Sequence, residues 1–287
     1  MKFSIFGITG NTGGAAAEAL LAQGHGVRAL VRDPAKAAAW AARGVELVSG
    51  VITDAAAVAR ALEGVDGAYV LVPPHWGVPD MFAANQPVID ALLAGLAAQP
   101  VARVVMLSSV GVHLTAGTGP IRGLRPLEAG LAEHPGVTFI RANYFQENLG
   151  SGLGPAAQDG VLPVFIGAHT PVDMVATVDI GAEAARQLLI APQAAARVVN
   201  LAGPGPVTFA EVATLLSELL GRPVVPLELP TAALVQTLTG MGAGHLASLY
   251  GEMSDTMAAG GLDYEPGVAV TRGATPVRAT LARMLGR

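Results

Sequence analysis

The chain contains no cysteine among its 287 residues. That absence excludes a disulfide framework, a thiolate nucleophile and any cysteine-ligated metal. Lysine is nearly missing as well, present only at Lys2 and Lys36, and none of the four tyrosines (Tyr69, Tyr144, Tyr250, Tyr264) has a lysine four positions on. Although 52% of the residues are hydrophobic, much of that is alanine, and no apolar run approaches the roughly 18 residues of a membrane span. Gly7, Gly10, Asn11 and Gly13 interrupt any signal-peptide core near the N-terminus. The histidines (His25, His75, His113, His134, His169, His245) show no metal-ligand spacing. A net charge of −5 with scattered arginines argues against a nucleic-acid partner. The expectation is a cytoplasmic protein, monomer or homodimer, that meets a small molecule and neither nucleic acid nor membrane. Its length allows one large or two modest domains.

What is present is glycine in a telling place. A short apolar run, Phe3 to Ile8, feeds into Gly7, Gly10 and Gly13, and an alanine-rich helical stretch follows. Strand, glycine turn and helix in that order place a helix N-terminus where a pyrophosphate can sit, its charge met by backbone N–H groups and the helix dipole. A Cβ there would block close approach of the backbone to phosphate. The spacing is G-x-x-G-x-x-G, not the more familiar G-x-G-x-x-G.

Apolar runs and helical patterns then alternate. The sequence predicts strands at Lys2–Ile8, Val27–Val31, Val45–Val48, Gly67–Val72, Arg103–Leu107 and Val137–Arg141, with helices near 14–23, 34–43, 55–63, 80–98 and 122–134. Strands apolar throughout and separated by helices belong to a parallel sheet covered on both faces. The fold class is therefore α/β, a doubly wound parallel Rossmann sheet, with ligands at the C-terminal ends of its strands. A helix from Asp179, a strand Arg197–Leu201 and a helix opened by the capping box Thr208-Phe-Ala-Glu211 follow, and the tail from Leu234 reads as mostly helical. The predicted division is a dinucleotide-binding domain over 1–150, completed by 173–203. A smaller, mostly helical C-terminal lobe on the substrate side takes 151–172 and 204–287.

The second strand ends Val31-Arg32-Asp33-Pro34. Asp33 before Pro34 suits a helix N-cap, which commits its carboxylate to backbone N–H groups. Arg32 is left at the ribose-facing position, where a guanidinium suits a 2′-phosphate, so NADPH (NADP+) is favoured over NADH. The alternative for Arg32 is a solvated loop residue. Val51 and Ile52 could flank an adenine, and Asp54 could either meet its edge or cap the helix 55–63.

Together these residues resemble the NmrA-like, atypical branch of the short-chain dehydrogenase/reductase superfamily. The likeness rests on Gly7-Ile-Thr-Gly-Asn-Thr-Gly13, Val31-Arg32-Asp33, Leu107-Ser-Ser-Val-Gly111, Pro126-Leu-Glu128, Phe145-Gln-Glu-Asn-Leu149 and Val178-Asp-Ile-Gly181, and spans essentially the whole chain. It implies NADPH-dependent reductases of quinones, azo compounds and triphenylmethane dyes, and also regulators that bind the dinucleotide and catalyse nothing. The resemblance and the residues together nominate Gly7, Thr9, Gly10, Asn11, Thr12, Gly13, Arg32, Val51, Ile52, Val72, Pro73, Ser108 and Asn143 for the cofactor.

Ordinary members of the superfamily use Tyr-x-x-x-Lys, which this chain lacks. In isoflavone-reductase-like relatives a lysine precedes the helix glutamate, and Arg122 occupies roughly that place here. Ala142 stands where the family often has proline. An arginine cannot transfer protons, so acceptors that need a lysine-tuned acid are excluded. Hydride transfer to a quinone or conjugated dye needs only positioning in a dry pocket. Candidates for that pocket are His75, Trp76, Ser109, Tyr144 and Asn148, with no catalytic residue assigned. His75 and Trp76 could instead pack a loop, Ser108 and Ser109 could cap strand ends, and Glu128 reads as structural. Ser109-Val-Gly111 lacks the preceding glycine of a nucleophile elbow, so a hydrolase is excluded. Two functions remain: a reductase of quinone-like or dye-like acceptors, or an NADP(H)-sensing regulator that binds a partner protein.

Overall fold

The computed structural model describes residues 1–287. Ten strands form: β1 (Lys2–Phe6), β2 (Gly26–Val31), β3 (Glu46–Ser49), β4 (Gly67–Val70), β5 (Val104–Ser109), β6 (Val137–Ala142), β7 (Val161–Val164), β8 (Arg197–Ala202), β9 (Val225–Glu228) and β10 (Val270–Arg272). Eight of them make one parallel sheet in the order β10-β8-β6-β5-β4-β1-β2-β3. Phe3 of β1 pairs with Val27 on one side and Gly67 on the other. The strand order thus reverses at β1, and the crevice that opens there is where a doubly wound fold binds its ligand.

Strands β1, β4 and β6 are buried almost throughout because helices cover both faces. On one face Ile5, Tyr69 and Ile140 join Ala16, Leu20, Ile180 and Leu188 from the helices Asn11–Ala22 and Thr177–Leu189. These two helices approach closely because residue 181 is glycine. A Cβ at Gly181 would lie 2.4 Å from that of Ala15. On the other face Phe6, Val70 and Met106 meet Val58, Leu92 and Leu127 from the helices Ala55–Leu62, Met81–Ala98 and Arg125–Leu131.

A second core gathers Leu162, Val164, Phe209, Val212, Leu216, Met257 and Leu281 around the two-stranded parallel pair β7-β9. The helix His245–Ala258 leads from this core to a small cluster with Met81, so it bridges across the strand ends.

The structure departs from the sequence expectations in five places. The helix expected near 122–134 is a 3-10 helix over Gly119–Leu124 followed by an α-helix over Arg125–Leu131. Strand β1 stops at Phe6 because Gly7 turns the chain at φ +75°, and the following helix already begins at Asn11, taking Gly13 and Gly14 into its first turn. The helix expected near 34–43 divides into a 3-10 turn, Pro34–Ala37, and a single helical turn, Ala38–Ala41. Residues 270–272, assigned to the smaller lobe, add the edge strand β10 to the main sheet, with Val270 opposite Asn200. Finally, the helix Met81–Ala98 is long and apolar enough to cross a membrane by length and composition, where no such segment was expected. Here Val88, Ile89, Leu92 and Leu96 pack it against the sheet.

Candidate active site

The glycine turn builds the first wall. Gly10 N–H donates to Gly7 O at 2.9 Å, and Gly10 caps the helix without any side-chain hydrogen bond. No protein carbonyl receives the amides of Asn11, Thr12 and Gly13, so three donors and the positive end of the helix dipole are left for a ligand. Gly13 closes the turn against the helix: a Cβ there would come within 2.3 Å of Gly7 O. At Gly10 the same atom would meet only Gly7 O at 3.3 Å, leaving open space in front of the amides. Tyr69, wholly buried on β4, donates to Thr12 Oγ1 at 3.0 Å and holds that side chain in place. Burial pushes the Tyr69 phenol well above its ordinary pKa. The residues present therefore fit a dinucleotide pyrophosphate.

A cleft of about 700 Å³ opens from this turn along the strand ends. Of the residues expected at the site, Gly7, Thr9, Gly10, Asn11, Thr12, Val72, Pro73, Trp76, Ser108, Ser109, Asn143, Tyr144 and Asn148 all line it. Gly13, Arg32, Val51, Ile52 and His75 do not. Gly13 is internal to the helix, and Arg32, Val51 and Ile52 sit at or beyond the ends of β2 and β3, outside the cleft. Arg32 is exposed and its guanidinium pairs with no protein group, while Asp33 accepts the Ala35 N–H as an N-cap. Asp54 likewise caps its helix through Ala56 N–H. The Nε2 of His75 is buried without a partner while Trp76, half-exposed, faces the cleft. Their loop also packs on the smaller lobe, where His245 N–H donates to Val78 O and Met81 N–H to His245 Nδ1.

The β5 and β6 ends are ordered by hydrogen bonds. Ser109 Oγ donates to Val110 O at 3.0 Å, whereas Ser108 Oγ is buried without a partner. Asn143 Oδ1 accepts the Tyr144 N–H, and Asn143 Nδ2 donates to the Tyr264 hydroxyl at 2.9 Å. That hydroxyl donates in turn to Asp173, which pairs with Arg272. Burial first, and then the Asp173 carboxylate, hold the Tyr264 phenol far above its ordinary pKa. In the stretch Phe145 to Leu149, Gln146 donates to Met174 O and Thr275 O, and Glu147 accepts from Thr177. Only Phe145 and Asn148 of that stretch reach the cleft. Arg122 is engaged with Glu252 at 3.1 Å and leaves the cleft lining to its neighbour Ile121.

Residues that the sequence reading did not nominate complete the far wall. Leu246, Tyr250, Met253 and Met257 come from the helix His245–Ala258, joined by Met81, Asn85, Ile121, Leu124 and Leu262. Their signal was present as a four-three-four spacing on one helix. What that face would cover was not. Across the 30 lining residues there is no Asp, Glu, Lys, Arg or His. The two titratable groups are phenols. Burial, and then the proximity of Tyr250, push Tyr144 up to about 12, and burial also raises Tyr250. Tyr144 stands edge-on to Phe209 at 6.2 Å.

Residues 7–134 match a family model described as NAD(P)H-binding. The chain is 31% identical over 252 residues to an NAD(P)H azoreductase of Xenophilus azovorans, covering 85% of this chain and 82% of that protein. Among solved structures, a triphenylmethane reductase of Citrobacter sp. aligns over the full length of both chains with a TM-score of 0.82 at 20% identity. An NADPH-dependent quinone oxidoreductase of Escherichia coli, complexed with NADPH, aligns over 99% of this chain and 95% of its own, with a TM-score of 0.77 and 24% identity. These two structures share the fold. The nucleotide-binding match and the azoreductase relative go further: the chain belongs to the NmrA-like family of the short-chain dehydrogenase/reductase superfamily and is an NAD(P)H-dependent reductase.

Proposed function

We propose that the protein uses NADPH to reduce a neutral, conjugated small molecule of the quinone or dye class. The observation that carries this reading is the cleft lining, which offers apolar and aromatic side chains, hydroxyls and amides but no charge. A charged acceptor would lose its hydration there and gain no counter-ion. The azoreductase relative and the quinone and triphenylmethane reductases of the same fold are each named for an extended conjugated acceptor.

The free amides at Asn11, Thr12 and Gly13, with Gly7, Thr9 and Gly10 leaving room, receive the pyrophosphate. Arg32 receives the 2′-phosphate, and Val51 and Ile52 lie along the adenine. Val72, Pro73, Ser108 and Asn143 border the nicotinamide, which supplies the hydride when bound. Residues 1–150 with 173–203 thus hold the dinucleotide, while 151–172 and most of 204–287 cover the acceptor. Trp76, Tyr144 and Asn148 flank that acceptor, excluding water and fixing its plane. The raised pKa values of Tyr144 and Tyr250 keep both phenols protonated, so they serve as hydrogen-bond donors to an acceptor heteroatom. The final proton comes from water. The protein would work in the cytoplasm as a monomer or homodimer.

Steady-state oxidation of NADPH in the presence of neutral quinones and neutral azo compounds tests the reading. Turnover with at least one class is expected. NADPH binding with no turnover of any acceptor would overturn it in favour of a dinucleotide-sensing regulator.

A further inference from the structure

We propose, resting on the reading above, that the acceptor carries a long apolar tail on its conjugated head and that the helix His245–Ala258 is the tail's roof. Leu246, Tyr250, Met253 and Met257 share one face of that helix and all line the cleft. At 1.5 Å per residue the stripe is about 16 Å long. It runs from the cluster around Met81 to the second core, where Met257 is buried and Leu262 packs. Apart from the Tyr250 hydroxyl the stripe is apolar, and Met81 and Ile121 extend the same apolar wall.

A ring system that stacks between Trp76 and Tyr144 occupies only part of such a length. The remainder is lined by the thioethers of Met253 and Met257 and the aliphatic Leu246, with Tyr250 the one ring on the stripe. Methionine is unbranched and adapts to irregular, flexible partners, whereas a rigid polyaromatic ligand gains most from aromatic faces. The lining therefore matches a hydrocarbon chain. Each methylene that leaves water is worth about fourfold in affinity.

The test compares 2,3-dimethoxy-5-methyl-1,4-benzoquinone with its 6-decyl derivative, NADPH being saturating. Both should be reduced, the decyl compound with kcat/KM at least about tenfold higher and the gain lying in KM. In Met253→Gln the ratio should fall towards one. The wild-type ratio decides even if the variant does not fold. Equal kcat/KM for the two quinones would overturn the tail while leaving the reductase reading intact. So would a rigid azo dye that outperforms the decyl quinone and loses its advantage in Met253→Gln. Turnover of neither quinone nor any dye would overturn the reductase reading itself.

Discussion

Glu128 grips Arg141 with both carboxylate oxygens, at 3.1 and 2.8 Å, across the junction between a helix and β6. Both side chains are nearly buried, and Glu265 also pairs with the arginine. The pair contributes no residue to the cleft lining. Glu128→Ala strips a buried guanidinium of its bidentate partner, which costs about 3–5 kcal/mol when nothing replaces it. Because Glu265 remains, denaturant unfolding should show a loss near the lower end. Activity per folded molecule should persist. A catalytically dead variant of undiminished stability would instead make Glu128 part of the chemistry.

Gly10 and Gly13 should fail in different ways. A side chain at Gly10 projects into the open space before the free amides, so Gly10→Val should fold normally and lose NADPH and NADH alike. A Cβ at Gly13 collides with the backbone of Gly7, so Gly13→Ala should lower the unfolding temperature. Calorimetric titration and thermal unfolding separate the two. Normal cofactor binding by Gly10→Val would place the dinucleotide elsewhere.

Arg32 has no protein partner, and its removal should cost the fold nothing. A charge-assisted bond to a 2′-phosphate is worth roughly 1.5–3 kcal/mol, or about ten- to a hundredfold. Arg32→Ala should weaken NADPH binding by that factor and leave NADH unchanged. Equal losses in calorimetry would remove Arg32 from the cofactor's specificity.

The glycine turn, the approximate positions of the first six strands and the roles of Asp33 and Glu211 as capping residues were legible because each is a local pattern. Glu211 closes its capping box as the Thr-x-x-Glu spacing requires. Strand β10 was not legible. Three residues with exposed ends carry no periodicity, and only pairing with β8 makes them a strand. The same holds for Tyr264, which reaches Asn143 across 121 residues of sequence. Tyr250 and Met253 were hidden for another reason. Their helical spacing is visible, but a stripe that covers a ligand cleft looks the same in sequence as one that covers a core. His75 illustrates the converse: a turn that puts Trp76 into the cleft turns its neighbour behind the wall.

Tyr144 separates positioning from acid catalysis. Its phenol, held up to about 12, stays protonated as pH rises through neutrality and is lost as a donor only near that value. A neutral phenol of such weak acidity is a poor proton source. Tyr144→Phe should therefore keep kcat within about tenfold, while Tyr144→Ala, which removes the ring, should lose more. General acid catalysis is typically worth ~10²–10⁴-fold, so a loss of that size in Tyr144→Phe would make the hydroxyl the proton donor. Stopped-flow measurement of NADPH oxidation at several pH values decides.

An uncharged cleft selects, in the function proposed above, a neutral conjugated acceptor for reduction by NADPH. The most direct test of that selection is the anaerobic reduction of a neutral 1,4-naphthoquinone beside the 2-sulfonate of the same ring system. Desolvating the sulfonate in a cleft without a cation should cost at least the roughly 1.4 kcal/mol that makes a tenfold difference. NADPH should be consumed in equal amount to the neutral quinone, with kcat/KM at least about tenfold above that of the sulfonate. Consumption favouring the sulfonate, or no consumption with the neutral quinone, would contradict it.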